Sequence, residues 1–151
     1  MPLKGEYEPS PTDYVRLQVE LYELTDGAVG NTFKNRPVVI LTTKAAKSGK
    51  LRKNPLMRVE YDGTYAIVAS NGGGAKDPVW HRNVAANPVV ELQDGPIKHD
   101  MRAREVFGAE KDEWWARADA AYPEFADYRK VAGREIPVFV LECVEYVEQK
   151  F

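Results

Sequence analysis

Two Asp-Gly pairs constrain this chain more than any other feature. Asp62-Gly63 and Asp94-Gly95 each stand between two β-type runs, the setting of a tight hairpin turn. The first pair joins a strand over 51–60 to one over 64–70. The second joins 89–92 to 97–106, where Ile97, His99, Met101 and Ala103 alternate with Lys98, Asp100, Arg102 and Arg104, so one sheet face is wet. A β-branched run over 37–43 and a closing run over 136–146 bring the count to about six strands. Strands and crossover helices do not alternate regularly, which argues against a doubly wound parallel sheet. The pattern predicts an α+β chain, mainly β, forming a small antiparallel barrel with flanking helices.

Four helices fit between and before the strands. The first spans 14–24 after Thr12 or Asp13, with Val15, Val19 and Tyr22 on one stripe and Leu17, Leu21 and Leu24 on the next. Its wide apolar face is suited to packing on the domain; packing on a second copy as a homodimer, or on a membrane surface, stays open. The basic polar face of a membrane-surface helix is missing. The others span 78–87, 110–121 with Trp114 and Trp115, and 125–131 with Tyr128. Residues 1–11, polar and proline-bearing, read as a disordered arm ahead of a single domain over 12–151.

Composition closes off several functions. A net charge of −2 gives no general reason to expect nucleic acid as a partner. One cysteine, Cys143, excludes an intramolecular disulfide, fits a reducing cytoplasm, and reads as a buried thiol in mid-strand. No apolar run approaches the roughly 20 residues needed to cross a bilayer, and no signal-type apolar core opens the chain. His81 and His99 have no metal-ligand spacing, so no metal site is expected.

Two stretches carry the chemistry. Residues 70–83 read Ser-Asn-Gly-Gly-Gly-Ala-Lys-Asp-Pro-Val-Trp-His-Arg-Asn, a bare glycine loop between a buried strand and a helix start. Asp77 reads as the helix cap and Pro78 as the first helical residue, so loop N–H groups and a helix N-terminus would face one ligand. Trp80 adds a flat apolar surface. A plain flexible turn with Trp80 in the core fits these residues as well. Residues 44–53 hold five cations and no acid, a turn able to grip a phosphate or simply a solvated turn. A hairpin links the two stretches. Together they suit a ligand with a flat ring and an anionic tail better than a nucleic acid strand, which needs a longer groove with several aromatic platforms.

The same residues resemble the deazaflavin-dependent nitroreductases of actinobacteria. The resemblance rests on Leu-Thr-Thr-x-x-x-Lys-Ser-Gly-x-x-Arg-x-Asn-Pro-Leu over 41–56, Ala-Ser-x-Gly-Gly over 69–73, Asp-Pro-x-Trp over 77–80 and Ala-Asn-Pro over 86–88. It extends from about Gly30 to Cys143, with Tyr122-Pro123 and Ile136-Pro137 in register. It implies a split β-barrel related to FMN-binding oxidases, with coenzyme F420, an 8-hydroxy-5-deazaflavin bearing a phospholactyl-oligoglutamate tail, as cofactor. The implied reaction is hydride transfer to a small planar acceptor, a quinone, with a nitroaromatic left open. Carried over by position, Lys47, Arg52 and Asn54 would hold the tail, and Pro55 and Leu56 the adjoining wall. Ser70, Asn71, Gly72 and Gly73 would approach the ring, and Lys76, Pro78, Val79 and Trp80 would complete the pocket. Tyr122, Phe125 and Tyr128 would hold the acceptor. Ser70, Tyr122 and Tyr128 are the candidate catalytic residues, with Ser70 or Tyr128 hydrogen-bonding the acceptor oxygen. Asn71 stands where relatives often have lysine, and Phe125 where they often have tyrosine. An FMN-dependent split-barrel oxidoreductase and a non-catalytic deazaflavin carrier are the alternatives.

Overall fold

A computed structural model describes residues 3–144 of the chain. Helix α1 (Asp13–Leu24) precedes strands β1 (Thr32–Phe33), β2 (Arg36–Lys44), β3 (Leu51–Met57), β4 (Val59–Tyr61) and β5 (Thr64–Val68). Helix α2 (Val79–Ala86), strands β6 (Val89–Asp94) and β7 (Ile97–Glu105), helices α3 (Gly108–Ala121) and α4 (Glu124–Val131), and strand β8 (Val138–Cys143) complete it. The strand expected over 51–60 divides at Arg58 into β3 and β4, and the short β1 adds to it, so six becomes eight. Positions 145 and 146 of the expected last strand lie outside the described residues.

All strand pairs are antiparallel, in the order β3-β2-β6-β7-β8-β5-β4, with β1 also on β2. The two outer strands of this order, β3 and β4, follow each other through Arg58. The sheet therefore curls until its margins nearly meet, giving a split half-barrel with four helices. Hairpin chemistry fixes the register. Asp62 and Gly63 both take positive φ, 53° and 80°, as a type I′ turn requires. In the β6–β7 turn the positive φ falls on Gly95 (63°) ahead of Pro96, the type II′ pattern.

The unbroken apolar runs of β2, β5 and β8 are buried on both faces, so the two-residue period sorts them into separate cores. Val39, Leu41, Tyr65, Ile67, Phe139 and Leu141 point into the barrel with Trp80, Leu92 and Met101. Ala66, Val68, Val138 and Val140 point outward beneath Trp114, Ala118, Tyr122 and Phe125. Val38 and Ile40 point outward beneath Val19 and Tyr22 of α1. A fully buried Val, Leu or Ile side chain contributes about 1.5–3 kcal/mol, so these faces hold the helices in place. The Tyr22 hydroxyl also ties α1 to the β6–β7 turn, accepting the Gly95 N–H at 2.7 Å and donating to the Gln93 carbonyl at 3.3 Å.

Three local expectations change. The N-terminal arm lies along β3: the Leu51 N–H donates to the Glu6 carbonyl at 2.8 Å and the Glu8 N–H to the Leu51 carbonyl at 2.9 Å. Because Leu51 turns its polar groups to the arm, Pro55, two periods further on, turns its missing N–H the same way and breaks no bond to β2. Cys143 is exposed at the end of β8 rather than buried in mid-strand. The leucine stripe of α1 stays uncovered, with Tyr14, Leu17, Leu21 and Leu24 all exposed. Among the described residues no helix is long and apolar enough to cross a membrane.

Candidate active site

Where the two margins of the sheet approach, the three cores leave a cavity of about 340 Å³. Asn54, Pro55, Leu56 and Met57 of β3 form one side. Val68, Ser70, Asn71 and Gly72 at the end of β5, with Pro78 and Trp80, form the next. Tyr122, Phe125 and Tyr128 close the third side, and Tyr14, Val15 and Gln18 of α1 lie at the rim with Phe33. Apolar walls with a few polar groups, in a volume of this size, are the usual make-up of a small-molecule site.

The glycine loop is stiffer than its composition suggests. Asn71, Gly72 and Gly73 all take left-handed φ, 48°, 63° and 83°. Asparagine is among the few non-glycine residues that tolerate this region, and the Asn71 side chain uses the turn, donating to the Lys76 carbonyl at 3.1 Å. Two loop N–H groups bond inside the loop, Gly73 to the Ser70 carbonyl and Gly74 to the Asn71 carbonyl. The open cradle of N–H groups expected here is thus partly closed.

Arg134, which sequence reading missed, organises the loop from beneath. Its guanidinium donates to the carbonyls of Ala69 (3.0 Å), Ser70 (3.3 Å), Gly74 (3.1 Å) and Lys76 (3.0 Å) and to the Asp77 carboxylate (2.5 Å). Asp77 consequently does not cap α2. Pro78 occupies the cap position, without a side-chain cap bond, and Val79 is the first helical residue. No local motif marks Arg134, because its partners are carbonyls some 60 residues upstream; only the fold reveals it.

The aromatic side carries a second unanticipated group. The Tyr122 and Tyr128 hydroxyls lie 2.7 Å apart, and both reach Glu124 Oε2, at 2.5 and 3.2 Å. Lys34, at the β1–β2 turn, donates to the same oxygen at 2.7 Å. Burial, then the bonds to Glu124 and Tyr128, push the Tyr122 phenol well above its ordinary pKa, so it stays protonated at neutral pH. The bond from Lys34, followed by that from Tyr122, holds the Glu124 carboxyl below the usual carboxylate range. Phe125, buried between the two tyrosines, stacks edge-on to both at 5.0 and 6.2 Å.

A sequence model described as F420H(2)-dependent quinone reductase matches residues 14–143, most of the chain and every wall of the cavity. The chain belongs to the F420H(2)-dependent quinone reductase family. It is 31% identical over 131 residues to an F420H(2)-dependent quinone reductase of Mycobacterium tuberculosis, spanning 84% of this chain and 88% of that one. A solved F420-H2 dependent reductase is 53% identical, with a TM-score of 0.68 over 71% of this chain and 95% of its own. A solved domain-swapped dimer is 50% identical, with a TM-score of 0.70 over 88% and 100%. The family's reductant, F420H(2), is the reduced form of coenzyme F420.

Measured against what a deazaflavin quinone reductase needs, the structure sorts the expected residues into two groups. Asn54, Pro55, Leu56, Ser70, Asn71, Gly72, Pro78, Trp80, Tyr122, Phe125 and Tyr128 line one cavity. Lys47, Arg52, Gly73, Lys76 and Val79 do not line it. Lys47 is exposed on the basic turn, and Val79 is exposed on α2. Lys76 contributes its carbonyl to the loop. Gly73 packs against α4, where a Cβ would stand 2.9 Å from Val131 Cγ2 and 3.3 Å from Tyr128 Cα. Arg52 pairs with Glu8 of the arm at 2.9 Å, and Lys53 pairs with Glu23. Lys44, Lys47 and Lys50 have no ion-pair partner among the described residues. The turn that carries them is anchored from α2, where Asn83 Oδ1 accepts the Ala46 N–H at 3.2 Å and Asn87 donates to the Lys44 carbonyl at 3.3 Å.

Proposed function

We propose that this chain uses F420H(2) to reduce a quinone, with the deazaflavin against the Ser70–Gly72 and Trp80 wall and the quinone against Tyr122, Phe125 and Tyr128. The observation that carries this reading is a single cavity in which three segments far apart in sequence meet. The fit of the cofactor rests on three features. Trp80 gives the ring wall a flat apolar face, Gly72 presents no side chain, and a clamped turn whose Lys44, Lys47 and Lys50 have no ion-pair partner among the described residues lies beyond Asn54 at the far end of β3. Asn54 and Lys47 would take the tail; Arg52 would join them by exchanging Glu8 for a tail anion.

Reduced deazaflavin supplies a hydride rather than single electrons. The protein's share is to bind, orient and shield. Leu56 and Trp80 keep water from the ring wall. The aromatic trio holds a planar acceptor, and the Tyr128 hydroxyl, or that of Ser70, hydrogen-bonds the oxygen on which charge develops. Should the chain dimerise, as its 50% identical relative does in domain-swapped form, the uncovered stripe of α1 is the surface a second copy would bury.

Titration with coenzyme F420 and with FMN tests the cofactor: binding of F420 and not FMN is expected, and the reverse would replace this reading with a flavin oxidoreductase. Adding menadione to protein and F420H(2) is expected to give catalysed loss of the reduced cofactor; binding without turnover would mark a carrier. Tyr128→Phe is expected to lower kcat by about 100- to 1,000-fold, the usual loss for one hydrogen-bond donor at a developing oxyanion, with the Kd for F420 unchanged. Unaltered turnover would remove Tyr128 from the acceptor site.

A further inference from the structure

One carboxylate oxygen, Glu124 Oε2, is within hydrogen-bond distance of both phenol hydroxyls of the aromatic trio, and it faces a cation from across the rim. Proton counting makes this arrangement directional. A carboxylate can only accept, and each phenol has one proton to give. The shortest bond, 2.5 Å, commits the Tyr122 proton to Glu124. The 2.7 Å contact between the phenols is then carried by the Tyr128 proton. Of the two phenols, Tyr128 alone has a proton that an acceptor in the cavity can claim. When it is claimed, Tyr122 keeps its own bond and its ring stays in place.

We propose that Glu124 is a positioning residue of the acceptor site: it draws the Tyr122 hydroxyl away from the cavity, leaving Tyr128 as the phenolic donor of the aromatic trio, and Lys34 holds Glu124 in that place. Lys34 reaches it from the tip of a two-residue turn in which Lys34 and Asn35 both take left-handed φ, 49° and 61°. Phe33, next to that tip, lines the cavity, so the same ion pair ties the β1–β2 hairpin to α4 across the rim. The charged and titratable groups that face Glu124 are Lys34, Tyr122 and Tyr128. Burial and the neighbouring carboxylate keep Tyr122 protonated, as the arrangement requires. Nothing in residues 41–80, where the sequence motifs concentrate, points to this role; it falls on the residue between Pro123 and Phe125.

The inference rests on the proposed acceptor side, and its test separates the two. F420H(2)-dependent menadione reduction, F420 binding and thermal unfolding are measured for Glu124→Ala, Glu124→Gln, Tyr122→Phe, Tyr128→Phe and the Glu124→Ala/Tyr122→Phe double variant. Glu124→Ala is expected to lower kcat about tenfold, since loosened donors lose preorganisation, with Tm and the Kd for F420 unchanged. Glu124→Gln, which keeps an acceptor oxygen for Tyr122, is expected to recover most of that loss. In the Tyr122→Phe background Glu124→Ala is expected to cause no further loss. Wild-type turnover in Glu124→Ala, an equal loss in both backgrounds, or a Gln variant as impaired as Ala would each overturn the inference. If Tyr128→Phe itself turns over like the wild type, it is the acceptor-site reading that fails.

Discussion

Arg134→Met is expected to abolish F420 binding and to lower the free energy of unfolding by about 1–3 kcal/mol, the range for leaving buried hydrogen-bonding groups without their partner. The side chain is only 16% exposed, and the substitution leaves Asp77 and four loop carbonyls without their shared donor. Carbonyl groups brought together repel one another unless a cation lies between them, so the loop must open. With it go Ser70, Asn71 and Gly72, which line the cavity where the deazaflavin is proposed to lie. Arg134→Lys keeps the charge but not the planar fork that reaches several acceptors at once, so it should fall between the two. Urea unfolding and F420 titration on the same preparations check both parts. A variant that loses stability yet binds F420 normally would show that the wall holds its shape without the arginine.

The strand pattern was legible because hairpin chemistry is local. Asp62-Gly63 sets its own backbone angles, and the alternation in β7 follows from one wet face. The two-sided burial of β5 and β8 was legible only as apolar runs. Which residue faces which core depends on α3 and α4 returning over the outer face, and that is a tertiary fact. The site divides in the same way. Asn54, Ser70, Gly72 and Trp80 stand in motifs, so their convergence on one cavity could be anticipated. Arg134 and Lys34 could not, because a lone arginine and a turn lysine look like solvated charge until the fold brings their partners to them. Asp77 misled for a related reason. A carboxylate before proline is a good helix cap in isolation, but a guanidinium offers it a stronger partner. Arg52 shows a similar competition: a cation in a basic turn attracts whatever anion the chain supplies, and here the arm supplies Glu8.

The adjacent glycines 72 and 73 are expected to fail in opposite ways when replaced by alanine. Both take left-handed φ, 63° and 83°, so either alanine starts with about 1–2 kcal/mol of backbone strain. Their surroundings then separate them. A Cβ on Gly72 meets nothing within 4 Å. The methyl costs the fold little more than the strain, but it stands on the wall where the deazaflavin is proposed to lie, and F420 affinity should fall at least about tenfold. A Cβ on Gly73 meets Val131 Cγ2 at 2.9 Å, Tyr128 Cα at 3.3 Å and Tyr128 Cδ1 at 3.4 Å. Valine can turn aside, but helix backbone cannot, so the loop and α4 must part. Overpacking of this kind adds about 1–3 kcal/mol. The displaced residue is Tyr128, so Gly73→Ala should unfold earlier and lose menadione turnover out of proportion to any loss of F420 binding. Unfolding curves, F420 titration and steady-state kinetics on the pair decide the matter. If both alanines weaken F420 binding alike and cost the fold alike, Gly72 is not at the ring, and the loop acts only as a turn.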